Sequence, residues 1–482
     1  MMSKKKAGIF SSFLWRLFEL IGSQGVSFIV SIILARKLLP SDYGVVAIVS
    51  VIISIVDIFA TKGFGTALIQ KKDADTIDFS TVFYFNIAFT VVLYGLMFLC
   101  APQIAIFYGN QEITLLIRVL CIRILFSGVN SVQQAYIAKR MEFKKFFFAT
   151  FGGTLISAVV GIVMAYTGFG AWALVWQYLV NVIVDTIVLW IISGWRPTRE
   201  FSSRRLKGLF QYGWKIMCAG LLGTFYNNLQ SIIIGKKYTE ADLAYYSKGK
   251  QLPQTIISSI SVAMEGVMFP AMSNCQNVRG EVKTIAKKSI TMSTYITFPV
   301  VMGLFAVADS LIVLLFTEKW INCIPLLRVA CAVYIMWPVQ TVNLQIIKAL
   351  GRSDIFLKLD IYKKVMGVVG LVVGMTQGLW GIIVAEAICS ILSAIIDMFP
   401  VRKLIAYGCK EQIRDISNSF VCALIMSILV IGVGQWLSWG ILIEILIQII
   451  VGVVSYIVLS VVLRNKCLYI LLNTLKVCKS KA

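Results

Sequence analysis

Seven basic side chains fall inside stretches that are otherwise apolar: Arg16, Arg118, Arg123, Lys215, Lys248, Lys250 and Arg328. A cation at the centre of a bilayer costs about 2.5–3.5 kcal/mol on insertion scales, so such residues usually face a water-filled cavity or a partner. Guanidinium and ammonium groups in that setting hold phosphate by charge-assisted hydrogen bonds. The set points to an anionic, amphiphilic ligand with a phosphate or pyrophosphate head. Acids at comparable depth are fewer, chiefly Asp185, Asp397 and Glu386, whereas Asp57 and Asp309 lie near segment ends. A carrier of cationic drugs would want the opposite balance. The three deep carboxylates are candidates for coupling to an ion gradient, Na+ or H+.

Depth separates the cations. Arg16 and Lys215 lie within about one turn of a segment end, where long side chains snorkel to the interface, and Glu19 follows Arg16 at ion-pair spacing. Those two are evenly divided between anchor and cavity roles. Arg123 sits near mid-segment, too deep to snorkel, which favours a cavity or a buried pair. Lys248 and Lys250 give their segment a polar stripe suited to water. Pro253, Pro299 and Pro338 fall inside apolar segments, where each removes a backbone hydrogen bond and can kink a helix, so they are candidate hinges. Gly370 and Gly374 form a GxxxG pattern that favours close helix packing.

The surroundings of these residues are those of a membrane protein. The 482 residues are 59% hydrophobic and 14% charged, against about 45–50% and about 25% in soluble domains. That excludes a soluble enzyme or a nucleic-acid-binding protein, despite a net charge of +22. There is no histidine, which removes Ser-His-Asp and Cys-His hydrolysis. Most of the 11 cysteines lie in apolar runs, as small hydrophobes, and none has zinc or redox spacing. No Gly-x-x-x-x-Gly-Lys-[Ser/Thr] loop exists for direct ATP use. Neither enzymatic activity, a metal nor a cofactor is expected.

A helix needs about 20 apolar residues to span a bilayer. Fourteen segments qualify, from 12–35 to 440–462, among them 113–137, 242–263 and 323–346. Starting inside, 33 of the 45 basic residues fall on the cytoplasmic side, five fall outside and seven lie within the spans. That asymmetry sets a multi-pass topology with both termini cytoplasmic. The basic stretch Arg204, Arg205 and Lys207 is expected on the inner leaflet beside anionic lipid.

The spans are duplicated. Trp15-Arg16 echoes Trp214-Lys215, and Arg36-Lys37 with Asp42 and Gly44 echoes Lys236-Lys237 with Asp242 and Ala244. At a shift of 210, Leu116–Cys121 echoes Leu326–Cys331, which makes Arg118 and Arg328 equivalent, and Gly168 echoes Gly378. Each copy holds six spans, so the repeats are parallel, and rocking of one lobe against the other would give alternating access. The expected all-α architecture has an N-lobe at 1–200, a C-lobe at 201–410, and two added helices with a cytoplasmic tail at 411–482.

The stretches ARKLLPSDYGVVA (35–47), GFGTALIQKKD (63–73), AYYSKGKQLPQ (244–254) and VMFPAMSN (267–274) carry a resemblance. As a set they resemble the polysaccharide-transport branch of the multidrug/oligosaccharidyl-lipid/polysaccharide exporter superfamily, in particular the Wzx-type lipopolysaccharide and teichuronic-acid exporters. The resemblance implies two MATE-like lobes in a bacterial cytoplasmic membrane. It also implies flipping of an undecaprenyl-pyrophosphate-linked oligosaccharide, with membrane lipids and other polysaccharide-assembly proteins as partners. It does not fix which cations bind the substrate; that choice, Arg118, Arg123, Arg328 and Lys250 first, rests on the physical reading. The rivals are a multidrug/cation antiporter, which would depend on Asp185 or Asp397, and a membrane polymerase or ligase, which would want a larger outer loop than this chain has.

Overall fold

The computed structural model describes residues 22–436, 440–465 and 467–468, and among them every regular element is helical. The chain divides into two compact units between Ala244 and Tyr245. The first holds α1 (22–37), α2 (Pro40–Thr61), α3 (Phe64–Gln70), α4 (Thr76–Tyr108), α5 (Glu112–Leu120), α6 (Ile122–Arg140), α7 (Phe143–Tyr166), α8 (Ala171–Ser193) and α9 (Ser203–Lys237). The helix α10 (Glu240–Asn274) begins in the first unit and continues in the second. The second adds α11 (Arg279–Ala306), α12 (Ala308–Phe316), α13 (Cys323–Tyr334), α14 (Trp337–Ala349), α15 (Ser353–Met375), α16 (Gly378–Ile405), α17 (Cys409–Trp436) and α18 (Ile441–Val462). By packing, α9 belongs with α2, α3 and α4, whereas the repeat boundary expected from sequence lies earlier, at 200.

Ten helical stretches among the described residues, with α2–α3 and α13–α14 counted as one each, are long and apolar enough to cross a membrane, against fourteen expected spans. The remaining expected segments are also helical, but shorter or more polar: 22–37, Glu112–Arg140 in two pieces, Ser203–Lys237 and Ser353–Met375. Leu442, Leu446, Ile449, Val453 and Ile457 are exposed at helical spacing along α18, a stripe suited to lipid.

Two expected spans are broken. The segment 113–137 divides at Cys121, between α5 and α6, and 323–346 divides at Ile335 and Met336, between α13 and α14. The second break corrects the reading of Pro338 as an interior kink. Its ring would clash with the carbonyl of Tyr334 in a continuous helix, so the helix stops and restarts with Pro338 in its first turn. Pro253 and Pro299 do lie inside helices, α10 and α11.

Several sequence echoes are helix starts. Asp42 Oδ2 accepts from the Leu39 backbone N–H at 2.9 Å, and Asp242 Oδ2 accepts from the Thr239 N–H at 3.1 Å. Each carboxylate satisfies an orphan donor at the head of α2 or α10. The α4 start repeats the device with Asp75 and Asp78. Arg205 on α9 reaches Asp75 at 2.5 Å, and Lys71 reaches the buried Asp78 at 2.7 Å. Thr198 and Ser202 donate backbone N–H groups to Ser80 and Thr81, stitching the α8–α9 connection to α4. Beneath it Trp195 packs among Phe79, Phe83 and Tyr136.

Small residues set the close approaches. In α7, Ala149, Gly153, Ser157 and Gly161 recur every fourth residue, and a Cβ on Gly153 or Gly161 would come within 3.0 Å of Asn181 or Gln177 on α8. The GxxxG pair in α15 is likewise spent on packing. A Cβ on Gly370 would lie 2.6 Å from Cys389 Sγ, and one on Gly374 would lie 2.6 Å from the Gly381 carbonyl oxygen on α16. The two C-terminal helices are built into the unit. α17 packs along α11, Tyr295 donates to Ser460 of α18 at 3.2 Å, and Tyr456 donates back to the Tyr295 carbonyl at 2.9 Å.

Gly374→Ala is expected to lower the thermal unfolding midpoint of the purified protein, the strain being about 1–3 kcal/mol. Gly223→Ala, at a position with open space, is the neutral control. A second expectation concerns pH. The Arg205 guanidinium hydrogen-bonded to Asp75 holds that carboxyl down at about 2. A depressed carboxyl contributes stability above its unfolded value, about 3.9, and loses it as pH falls through about 2. The difference in unfolding midpoint between the wild type and Arg205→Ala should therefore hold from pH 8 to about 4 and shrink below that.

Candidate functional site

On α10, Tyr246 and Lys250 are one helical turn apart and share a face. Opposite them α16 presents Glu386. Lys250 Nζ lies 2.7 Å from Glu386 Oε1 and donates to the Tyr246 hydroxyl at 3.0 Å, and that hydroxyl donates to Glu386 Oε2 at 3.0 Å. The three close a ring of hydrogen bonds in which the Lys250 and Glu386 side chains are only 22% and 15% exposed. Gly249 lets α10 lie close to α13: a Cβ there would lie 3.0 Å from the Leu327 backbone nitrogen. The group borders a small cleft completed by Leu326, Ala330, Val333, Tyr334 and Ile383. Tyr334 is the last residue of α13, so the broken backbone at 335–336 adjoins the cleft. Lys248, on another face of α10, is buried with its ammonium 5.8 Å from the centre of the Phe316 ring.

The equivalent arginines are used alike. Arg118 Nε donates to the Phe98 carbonyl at 3.4 Å, and its guanidinium lies 4.2 Å from the centre of the Phe98 ring. Residue 102 is proline, so the Phe98 carbonyl has no N–H four residues on to receive it, and the arginine fills that gap. Arg328 Nε donates to the Phe305 carbonyl at 3.5 Å, in the last turn of α11, with the Phe305 ring 5.6 Å away. The copies part company in charge. Arg328 is paired with Asp309 at 2.5 Å, whereas residue 99, which the 210 shift matches to Asp309, is leucine.

Arg123 stands just past the Cys121 break, and its buried Nε has no hydrogen-bond acceptor among the described residues. Among the described residues, neither Arg118 nor Arg123 forms an ion pair with a carboxylate. Lys215 is exposed on α9. Arg16 lies outside the described residues. Within the second unit Lys248, Lys250 and Arg328 occupy separate settings, beside Phe316, Glu386 and Asp309.

The deep acids are each tied to a neighbour. Asp185 on α8 accepts from Asn130 Nδ2 of α6 at 2.5 Å. Asp397 on α16 is fully buried and pairs with Lys363 of α15 at 2.9 Å. Lys363 is the residue that sequence reasoning missed, because it was counted with the basic stretch at a segment end. The signal that could have found it is its place seven residues into the apolar stretch that starts at Phe356, although the charge count assigned it to the cytoplasmic side.

With this geometry in view, comparison with known proteins is informative. The signature described as "Polysaccharide biosynthesis protein" matches residues 33–325, more than half of the chain. The chain belongs to that family. Among its relatives, the teichuronic acid biosynthesis protein TuaB of Bacillus subtilis is 25% identical over 379 residues, 77% of this chain and 78% of its own. The lipopolysaccharide biosynthesis protein WzxC of Escherichia coli is 22% identical over 382 residues, 79% of this chain and 78% of its own. Among solved structures, the lipid II flippase MurJ in an inward closed conformation superposes with a TM-score of 0.77 at 12% identity, covering 94% of this chain and 99% of that one. An inward-facing multidrug resistance MATE transporter of the MOP superfamily gives 0.63 at 17% identity, covering 82% and 98%. At these identities the structural likeness is one of fold, an all-helical multi-pass membrane architecture. Within this polysaccharide biosynthesis protein the matched region contains Arg118, Arg123, Tyr246 and Lys250, whereas Lys363, Glu386 and Asp397 lie beyond it.

Lys363→Met should destabilise the protein by about 3–5 kcal/mol, because it strands a buried carboxylate. Adding Asp397→Leu should restore most of the loss, as read by the unfolding midpoints of the two single variants and the double variant.

Proposed function

We propose that this polysaccharide biosynthesis protein is a flippase. It carries an undecaprenyl-pyrophosphate-linked oligosaccharide from the inner to the outer leaflet of a bacterial cytoplasmic membrane, with both termini cytoplasmic. The observation that carries the reading is Arg123, an arginine inside an apolar unit whose buried Nε has no acceptor, and whose charge has no carboxylate partner, among the described residues. A cation is expensive to keep in lipid unless something anionic visits it, and a pyrophosphate supplies both acceptor oxygens and charge. Arg118 adds a second uncompensated guanidinium on the other side of the Cys121 break. The names of TuaB, WzxC and MurJ support a lipid-linked glycan as cargo. The polyprenyl tail stays in lipid while the head crosses, and a Na+ or H+ gradient, acting through Asp185 or Asp397, drives the cycle. Other membrane proteins of polysaccharide assembly supply and consume the cargo.

The test is transfer of a fluorescent undecaprenyl-pyrophosphate-linked glycan across proteoliposomes containing the purified protein. Arg123→Ala should slow transfer by about tenfold or more, as expected for losing a charged hydrogen bond worth about 1.5–3 kcal/mol. Arg328→Ala, whose charge Asp309 already answers, should cost less than about threefold, in line with a half-exposed ion pair. Unchanged transfer by Arg123→Ala would sink the arginine's role. Proton-driven efflux of cationic drugs that Asp397→Asn abolishes would favour the antiporter, and glycosyl transfer by the pure protein would favour a polymerase or ligase.

A further inference from the structure

The chain turns between α12 and α13 on Thr317, whose φ of 75° and ψ of 173° lie in a region essentially confined to glycine. Met141 and Ala406 also have positive φ, but with ψ of 29° and 38° they are ordinary left-handed helix ends. The first unit makes the turn before α5 on Gly109, which has no Cβ to crowd. A β-branched residue is the poorest choice for such a backbone. Its hydroxyl offers no compensation, because Thr317 Oγ1 is buried without a hydrogen-bond partner among the described residues. Something outside the turn must hold it.

The holding contacts come from α10. Thr317 leads into a single 3-10 turn, Glu318–Trp320. The Trp320 side chain is fully buried, its ring 5.8 Å from the Tyr245 ring, edge-on, and 5.9 Å from the Phe316 ring. The Tyr245 hydroxyl donates to the Lys319 carbonyl at 3.2 Å, and Cys323 Sγ donates to the Tyr245 carbonyl at 3.4 Å. One helical turn along α10, the Lys248 ammonium lies over the Phe316 ring. Every one of these residues belongs to the second unit, which begins at Tyr245.

We propose that the turn Thr317–Trp320 is a strained clasp on α10, which opens as one piece during transport and frees the end of the helix that carries Tyr246 and Lys250. The clasp is read from the second unit alone; its part in transport rests on the flippase reading above. Strain raises the energy of the closed form only. Once Tyr245 and Trp320 part, Thr317 relaxes to an ordinary φ, so the closed and open forms lie closer in energy than a buried tryptophan would otherwise permit. Tyr246 follows Tyr245 directly, so opening also reaches the hydrogen-bonded ring with Glu386. Glycine at 317 would keep every contact with α10 and remove the bias toward opening.

Hydrogen exchange of the full-length protein in lipid nanodiscs reads this opening through the Trp320 and Ile321 amides, which are bonded to the Thr317 and Glu318 carbonyls. Thr317→Gly should slow exchange in 317–322 about tenfold, whereas Thr317→Ala, which keeps the Cβ and loses only the hydroxyl, should stay within about threefold of the wild type. Tyr245→Phe, which loses the bond to the Lys319 carbonyl, should hasten it about threefold or more. In the proteoliposome assay above, Thr317→Gly should slow transfer of the glycan-lipid about threefold or more while its unfolding midpoint is no lower than the wild type's. A merely structural turn would leave transfer unaltered. The inference is overturned if Thr317→Gly leaves exchange in 317–322 unchanged, or if Thr317→Ala slows it as much as glycine does. It is equally overturned if Tyr245→Phe has no effect on that segment, or if Thr317→Gly slows exchange and transfers at the wild-type rate. Absence of transfer by the wild type itself would count against the flippase reading, and the exchange results alone would then decide the clasp.

Discussion

A charge carried into lipid must find an answer, and most of this molecule's interior is arranged around which answers are supplied from within. Water is absent, the hydrocarbon offers nothing, and an ion without a partner is costly. Lys363 answers Asp397, Glu386 answers Lys250, and Asp309 answers Arg328. Where the protein supplies the answer, the charge serves the fold. Where it does not, as at Arg123, the gap is an invitation, and that contrast separates the arginines of the first unit from the paired cations of the second.

How much of this the sequence disclosed depends on the range of the forces involved. Signals made by neighbours along the chain were readable. Asp42 and Asp242 recur because each must cap a helix start three residues before it, and the glycines of α15 recur because a neighbour presses on one face. The family resemblance and the all-helical membrane fold were readable too, because long apolar runs leave few alternatives. Partners brought together by tertiary packing were not. Nothing local links Lys363 to Asp397, 34 residues on, or Lys250 to Glu386, 136 residues on. Counting charges by position placed Lys363 with a topological signal, when its place in the structure is beside a buried acid. Pro338 shows the same limit: proline at mid-span reads as a kink, yet a helix can as easily stop before it and begin again.

The repeat is a record of what was kept and what drifted. Arg118 and Arg328 both stack on a phenylalanine and donate to that residue's own carbonyl, but Phe98 and Phe305 are not equivalent at the 210 shift, so each copy reaches this arrangement through a different residue. Their reasons have diverged, since one carbonyl is orphaned by a proline and the other by a helix end. The acid that neutralises one has no counterpart beside the other. Sequence equivalence therefore located the two residues correctly and said nothing about whether they remain electrically equivalent.

One contact gives that divergence a direction. A Cβ on Gly44 of α2 would fall 1.8 Å from the carbonyl oxygen of Glu240, at the head of α10, while the position matching Gly44 in the second copy is Ala244. One copy has no side chain at the point where the head of α10 presses against it. The halves are thus no longer interchangeable parts. A chimera that exchanged these two stretches would carry a methyl group into backbone, and an ancestor assembled from two identical halves would have needed another way of bringing these helices together. The duplication supplied the plan, and the difference of one methyl group between Gly44 and Ala244 marks where the copies hold different places.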